Sequence, residues 1–161
     1  MRKMVLVGRS GAGKTTLTQA LRGEEIRYEK TQYVKHGEMV IDTPGEYSQS
    51  RRLAKALALY TYEADVVGLL AASNEPYSLF PPCVAAQANR EVIGIVTKID
   101  VPNANIPLVH RWLEIAGCRK IFHVNSVGGA GVREILDYLM RDVEAVEMEE
   151  RQLFPQNIKT L

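Results

Sequence analysis

The pattern GxxxxGK[ST] at residues 8–15 constrains this chain more than any other feature of its sequence. The apolar run from Met4 to Val7 precedes the pattern, and the stretch from Lys14 to Leu21 has the composition of a helix. In that strand–loop–helix setting, glycines let successive backbone N–H groups face a polyphosphate, and the helix N-terminus favours the anion. The residues of this predicted phosphate loop are Gly8, Arg9, Ser10, Gly11, Ala12, Gly13, Lys14 and Thr15, and Thr16 follows directly.

Two side chains of the phosphate loop have predicted chemical roles. Lys14 is expected to reach the β- and γ-phosphates, where it would both bind the nucleotide and act in catalysis. The Thr15 hydroxyl is expected to bind Mg²⁺, and Thr16 is predicted to contact the nucleotide as well. A chance glycine-rich turn is the alternative, but it does not explain the strand before the pattern and the helix after it. We therefore predict a site for a nucleoside triphosphate with Mg²⁺.

Short apolar strands alternate with helical segments along the rest of the chain. The predicted strands are 65–71, 91–97 and 121–124, and the predicted helices are 51–60, 107–116 and 132–146. A small hairpin is predicted within 33–41 and a short helix at 83–88. This alternation predicts an α/β fold, in which helices cover both faces of a mostly parallel sheet. We expect one domain over residues 1–145 and a polar C-terminal tail over residues 146–161.

Composition and charge limit the classes of partner. With 161 residues and a formal net charge of +1, the chain gives no reason to expect nucleic acid or an anionic membrane as its main partner. Cys83 and Cys118 belong to no CxxC pair, so no zinc site is expected. The apolar residues before Gly8 are too few for a signal-peptide core, and no apolar run has the length of a membrane span. We therefore expect a cytoplasmic protein with reduced thiols.

Two segments downstream of the phosphate loop are predicted to complete the phosphate and metal site. Asp42 begins the sequence Asp-Thr-Pro-Gly after a predicted strand, which is where P-loop enzymes place an acidic residue in the magnesium shell. The Gly45 N–H is predicted to face the γ-phosphate. Thr31 lies in the polar segment between the helix that follows the phosphate loop and Asp42, and it is predicted to close over the metal when the triphosphate is bound. An ordinary turn at 42–45 and a solvated threonine are the alternatives.

Two further turns are candidates for reading the base. Thr97, Lys98 and Asp100 lie at the end of a predicted strand, where a buried Asp100 carboxylate would accept hydrogen bonds from the guanine N1–H and exocyclic amine. The Lys98 stem would lie along the base plane. Asn125, Ser126 and Val127 follow the last predicted strand, and a backbone N–H there would meet the guanine O6. These residues favour GTP, with ATP as the alternative, although either segment is also explained by a solvated turn.

The order of these motifs resembles that of the small GTPases of the P-loop class. The closer likeness is to the ethanolamine- and propanediol-utilisation GTPase-like proteins, the EutP and PduV family, from about residue 2 to residue 140. The likeness is carried by Gly-Lys-Thr-Thr-Leu-Thr-Gln-Ala-Leu at 13–21, Lys-Thr-Gln at 30–32 and Ile-Asp-Thr-Pro-Gly-Glu-Tyr at 41–47. Tyr-Ser-Leu-Phe-Pro-Pro at 77–82 is more similar to the propanediol branch.

The resemblance implies a small-GTPase-like P-loop NTPase whose gene is linked to bacterial microcompartments. It also implies shell or enzyme proteins of such a compartment as partners. Ethanolamine-branch members have been linked to acetate kinase activity, whereas propanediol-branch members are similar to accessory or positioning proteins. Three hypotheses follow: a slow GTPase switch, an ATP-dependent acetate kinase that makes acetyl phosphate, and a non-catalytic adaptor that retains the nucleotide fold.

Three residues depart from the usual GTPase pattern. Thr97 stands where asparagine is common, which predicts a weaker tie between the base turn and the phosphate loop. Val127 stands where a lysine often flanks the base. Glu46 stands where many GTPases have a glutamine that orients the attacking water. Glu46 is therefore a catalytic candidate, and its charge beside the γ-phosphate predicts slow hydrolysis by the protein alone.

Overall fold

A five-stranded parallel sheet forms the centre of the molecule in the computed structural model. The structure describes residues 2–23, 40–42, 55, 57–59 and 62–141, with residues 40–42 described by their backbone. The strands are β1 (Met4–Gly8), β2 (Val40–Asp42), β3 (Val66–Ala72), β4 (Glu91–Thr97) and β5 (Lys120–His123). Their order across the sheet is β2-β1-β3-β4-β5, and every neighbouring pair is parallel. All carboxyl ends of the strands therefore lie at one edge of the sheet.

Helices connect the strands and return the chain to the opposite edge. They are α1 (Lys14–Arg22), α2 (Ile106–Ile115), α3 (Val132–Met140) and a 3₁₀ turn at Val84–Gln87. Lys55 and residues 57–59 are also helical. Helix α1 ends at Gly23, whose φ of 67° permits the left-handed cap. Helix α2 begins after Asn105, whose side chain accepts a hydrogen bond from the Leu108 N–H.

Apolar side chains fill both faces of the sheet. One layer joins Val67 and Leu69 of β3 to Leu113 of α2. The other layer joins the strands to α1 and α3, through residues such as Leu17 and Ile135. All seven residues of β3 are buried, as expected of a parallel strand covered on both sides. The predicted α/β fold with helices on both faces is confirmed.

Most predicted elements are present, but several begin or end at residues other than those predicted. Strand β4 has the predicted bounds, whereas β3 and β5 are displaced by about one residue along the chain. Helix α3 was expected to reach Val146 but ends at Met140, because the backbone of Arg141 is extended at φ −64° and ψ 133°. Apolar periodicity does not detect that local change.

Some predicted segments fall partly or wholly outside the described residues. Most of the hairpin within 33–41, much of the helix at 51–60 and the tail at 146–161 are in this group. Within the described part of the chain, no helix combines the length and apolar character that crossing a membrane requires.

Candidate nucleotide-binding site

The phosphate loop begins where β1 meets β3, at the carboxyl edge of the sheet. Gly8 lies opposite Leu70 of β3, and a Cβ at position 8 would lie 2.6 Å from the Leu70 carbonyl oxygen. A side chain at this position would therefore push the loop off the sheet. Gly13, just before α1, has a φ of 95°, which side-chain-bearing residues rarely adopt. These two glycines let the chain turn tightly from the strand into the helix.

Lys14 places a positive charge inside the phosphate loop. Its Nζ donates hydrogen bonds to the carbonyl oxygens of Gly8, at 2.9 Å, and Arg9, at 3.0 Å. The residue is only 6% exposed. Thr15 and Thr16 follow in the first turn of α1, whose N-terminus carries partial positive charge. The loop thus combines a buried ammonium with a helix dipole, an arrangement that attracts an anion.

Thr97 ties the end of β4 to the phosphate loop. Its hydroxyl donates a 2.5 Å hydrogen bond to the Ala12 carbonyl, and the Thr97 side chain is 1% exposed. The connection between the turn after β4 and the phosphate loop is therefore present with threonine at this position, and the prediction that it is weaker than with asparagine stays a prediction. Because β4 brings the short side chain directly against the loop, its hydroxyl reaches the Ala12 carbonyl.

Lys98 makes a second bridge from the same turn. Its Nζ donates to the Gly11 carbonyl at 2.7 Å, and its own carbonyl accepts a 2.6 Å hydrogen bond from the Ser73 hydroxyl. The backbone of Lys98 is left-handed, with a φ of 55°. Asp100 follows as an exposed residue, so the prediction of a buried carboxylate is wrong. Asp100 lies in a turn, three residues beyond the end of β4.

The turn after β5 lies beside the turn after β4, because the Val124 N–H donates to the Val96 carbonyl at 2.8 Å. Asn125 uses its side chain locally: its Oδ1 accepts the Gly128 N–H at 2.9 Å. Ser126 is buried and Val127 is 64% exposed. The structure thus places this predicted base segment next to the Thr97–Asp100 turn. The capping role of Asn125 is the one expected of an ordinary turn.

A charged cluster that the sequence did not predict lies against the phosphate loop. The Glu75 Oε2 is 4.0 Å from the Arg9 Nε, and its Oε1 accepts the Ala72 N–H at 3.0 Å. The Arg9 guanidinium stacks 4.5 Å from the centre of the Tyr77 ring and donates to the Tyr77 carbonyl at 3.3 Å. Burial raises the pKa of Glu75, against the opposing charges of Arg9, Lys14 and Lys98. An acidic residue just after an apolar strand was the available signal, and it is a common one.

Positions with oxygen donors suited to Mg²⁺ lie near the phosphate loop. Thr15 is the second residue of α1, and Asp42 ends β2, which pairs with β1 through the register Leu6 opposite Asp42. Hydroxyl and carboxylate oxygens are ligands that Mg²⁺ prefers, so this pair of residue types fits the ion. The other residues predicted to act here, Thr31, Gly45 and Glu46, lie outside the described residues.

Comparison with known proteins agrees with this architecture. The family model PduV-EutP, described as ethanolamine utilisation - propanediol utilisation, matches residues 1–141. The chain is 41% identical over 140 residues to the propanediol utilization protein PduV of Citrobacter freundii, covering 86% of this chain and 93% of that protein. It is 36% identical over 144 residues to a protein named probable acetate kinase EutP of Salmonella typhimurium strain LT2, covering 86% and 89%.

A solved structure shows the same fold. The FeoB G-domain from Methanococcus jannaschii superposes with a TM-score of 0.58, covering 86% of this chain and 94% of that one, at 18% identity. The fold and the loop after β1 define a P-loop GTPase-like protein. The chain belongs to the PduV–EutP family of ethanolamine and propanediol utilisation. Both the predicted family and the predicted fold class are confirmed.

Proposed function

We propose that this chain binds GTP with Mg²⁺ and hydrolyses it slowly, as a switch whose output depends on a protein partner. The observation that carries the proposal is the connection between the phosphate loop and the turn after β4. Thr97 and Lys98 donate hydrogen bonds to the carbonyls of Ala12 and Gly11, at 2.5 and 2.7 Å. A nucleotide with its phosphates on the loop would therefore have the Thr97–Asp100 turn within reach of its base.

Phosphate binding in this proposal depends on the loop and the first turn of α1. The Lys14 ammonium, which contacts the Gly8 and Arg9 carbonyls, supplies positive charge to the β- and γ-phosphates. Thr15, Asp42 and Thr31 are the residues that would hold Mg²⁺. When bound, the ion neutralises charge that develops on the phosphates during transfer to water.

Base selection is proposed to depend on Asp100. The exposed carboxylate accepts hydrogen bonds from the N1–H and exocyclic amine of guanine, and adenine offers no such pair of donors. The Lys98 side chain lies along the base, and the turn at Asn125, Ser126 and Val127 presents a backbone N–H to the guanine O6. Adenine would displace water from the Asp100 carboxylate without offering these donors in return, and that loss disfavours ATP.

Slow turnover is proposed because the parts that accelerate hydrolysis are incomplete. Gly45 would orient the γ-phosphate, and in the sequence Glu46 takes the position where many GTPases have a water-orienting glutamine. A carboxylate at that position repels the γ-phosphate. An arginine finger is worth about a thousandfold or more in rate, and no arginine in the sequence has a clear claim to that role. A partner is therefore expected to supply speed or to read the bound state.

Two other functions are decided by the same experiment. The name of the Salmonella relative supports an ATP-dependent acetate kinase that makes acetyl phosphate. A non-catalytic adaptor with the nucleotide fold is the other candidate. The family's link to ethanolamine and propanediol utilisation supports a cytoplasmic protein that associates with microcompartment shell or enzyme proteins.

The test is a panel of binding and turnover assays on the purified chain. GTP and ATP are each supplied with Mg²⁺, with and without acetate, while phosphate and acetyl phosphate are measured for the native protein and for Glu46→Gln. We expect preferential GTP binding, slow phosphate release and no acetyl phosphate. Acetyl phosphate formed from ATP would establish the kinase, and binding without turnover would establish the adaptor. Turnover of several events per second that Glu46→Gln abolishes would make Glu46 a catalytic base in a self-sufficient enzyme.

A further inference from the structure

Glu75 is an acid with a buried side chain that lies beside Arg9 of the predicted phosphate loop. It lies three residues beyond the end of β3, at the sheet edge from which the phosphate loop projects. Its side chain is 8% exposed, and one carboxylate oxygen accepts the Ala72 N–H at 3.0 Å. The other oxygen is 4.0 Å from the Arg9 Nε. The carboxylate is therefore fixed in position, and it faces the second residue of the phosphate loop.

The contacts of Glu75 do not by themselves require a charge. A glutamine oxygen would accept the Ala72 N–H equally well. Arg9 is also held by the Tyr77 ring, at 4.5 Å, and by the Tyr77 carbonyl, at 3.3 Å. The Arg9–Glu75 pair is loose at 4.0 Å, whereas burying a carboxylate is costly. Glu75 therefore differs from a glutamine at this position mainly in its negative charge, and much less in the hydrogen bonds that it can accept.

The cations around Glu75 are the ones that a polyphosphate would need. Arg9 lies 4.0 Å from this carboxylate, and the charges of Arg9, Lys14 and Lys98 lower its pKa against the larger effect of burial, which raises it. Lys14 lies inside the loop, and Lys98 bridges to the Gly11 carbonyl. A bound phosphate chain would interact with the same three positive side chains as Glu75, and the two anions would repel each other. Because the site is partly buried, that repulsion is screened less than it would be in water.

We propose that Glu75 is a specificity-determining residue that weakens binding of the more highly charged nucleotide and so sets the ratio of GTP to GDP affinity. This inference rests on the proposed function. Repulsion between a fixed carboxylate and a ligand grows with the charge of the ligand, so it acts more on GTP than on GDP and leaves guanosine unaffected. The native chain would therefore bind GTP less tightly than a chain with a neutral residue at position 75.

The test compares Glu75→Gln with the native chain, using calorimetry with GTP, GDP and guanosine at fixed Mg²⁺ and salt. We expect Glu75→Gln to raise GTP affinity about three- to tenfold more than GDP affinity, with no change for guanosine. Glu75→Asp, which keeps the charge, should retain the native ratio. Glu75→Ala removes the same charge without the amide, and should give the same shift in ratio. Glu114→Gln is the matched control, because it removes an exposed carboxylate in the last turn of α2.

The outcomes separate this inference from the proposed function. If the native chain binds neither nucleotide, the proposed function fails and the inference fails with it. If the native chain binds both and the folded Glu75→Gln variant keeps the native ratio, the inference alone is overturned. Equal loss of affinity for GTP, GDP and guanosine would also overturn it, since that result identifies Glu75 as a purely structural support of the loop. A matching shift in Glu114→Gln would show a general charge effect and would count against Glu75.

Discussion

The hydrogen bond between Thr97 and Ala12 can be removed with almost no change of shape. Thr97→Val replaces a hydroxyl by a methyl group on a side chain that is 1% exposed. The lost contact is the 2.5 Å bond to the Ala12 carbonyl, which lies in a residue that is also 1% exposed. The substitution therefore tests the bond itself, since it neither opens a cavity nor inserts additional volume.

The expected cost follows from the burial of both partners. A net hydrogen bond contributes about 0.5–1.5 kcal/mol, and a buried acceptor left without its donor costs about 1–3 kcal/mol. We expect Thr97→Val to lower the free energy of unfolding by roughly 1–3 kcal/mol. For a chain of this size, each kcal/mol corresponds to about 2–4 °C in the melting temperature. GTP affinity should fall as well, because the phosphate loop loses the hydrogen bond that joins Ala12 to the turn after β4.

Thr18→Val provides the comparison. Thr18 is 4% exposed and its hydroxyl donates to the Lys14 carbonyl at 2.9 Å, four residues back in the same helix. Such bonds do little for helix stability, so this variant should cost less than about 1 kcal/mol. Urea unfolding of both variants, with equal denaturant dependence, gives the two values. Equal losses in the free energy of unfolding for Thr97→Val and Thr18→Val would refute the reasoning. The bond between Thr97 and Ala12 would then contribute no more stability than a hydroxyl bond within one helix.

Four other predictions test the site and the core. Lys14→Ala should lower triphosphate affinity by roughly a hundredfold or more in calorimetry, because the ammonium predicted to contact the β- and γ-phosphates is lost. The circular dichroism spectrum should be unchanged. Asp100→Asn should shift preference from GTP toward XTP in a competition assay, since an amide can donate to the xanthine carbonyl; equal affinity of the native chain for ATP and GTP would contradict the assignment. Burial raises the pKa of the Cys118 thiol to about 12, so above about pH 9 the unfolded chain loses a proton that the folded chain keeps. Stability should then fall by about 1.4 kcal/mol per pH unit in that range, and Cys118→Ala should remove this slope in urea titrations. Iodoacetamide should label the exposed Cys83 in the folded chain and the buried Cys118 only after unfolding, as mass spectrometry would show.

The sequence predicted the sheet well, for a physical reason. A parallel strand covered on both faces is a continuous apolar run, and Glu91–Thr97 is such a run, bounded by polar residues that mark its ends. The phosphate loop was equally predictable, because its pattern specifies backbone shape as well as chemistry. The end of α3 was missed, because residues beyond Met140 retain helical composition while the backbone of Arg141 is extended.

The contacts of the site could not be derived in the same way. Thr97 and Ala12 are 85 residues apart, and nothing local to either predicts their hydrogen bond. Glu75 was overlooked because an acidic residue after a strand is ordinary until the fold brings it beside Arg9. The exposure of Asp100 depends on how far the turn projects from β4, which is a property of the folded edge.

The left-handed backbone of Lys98 has a thermodynamic consequence. A residue with a Cβ pays about 1–2 kcal/mol in that region, and here the Ser73 hydroxyl, which donates to the Lys98 carbonyl, helps to hold the backbone there. The strain is thus maintained by a neighbour that belongs to another part of the sheet edge. Movement of Ser73 away from the Lys98 carbonyl would release that strain. In the proposed nucleotide complex, the bond from Lys98 to the Gly11 carbonyl would link order in the phosphate loop to order in the turn after β4, and each would favour the other reciprocally.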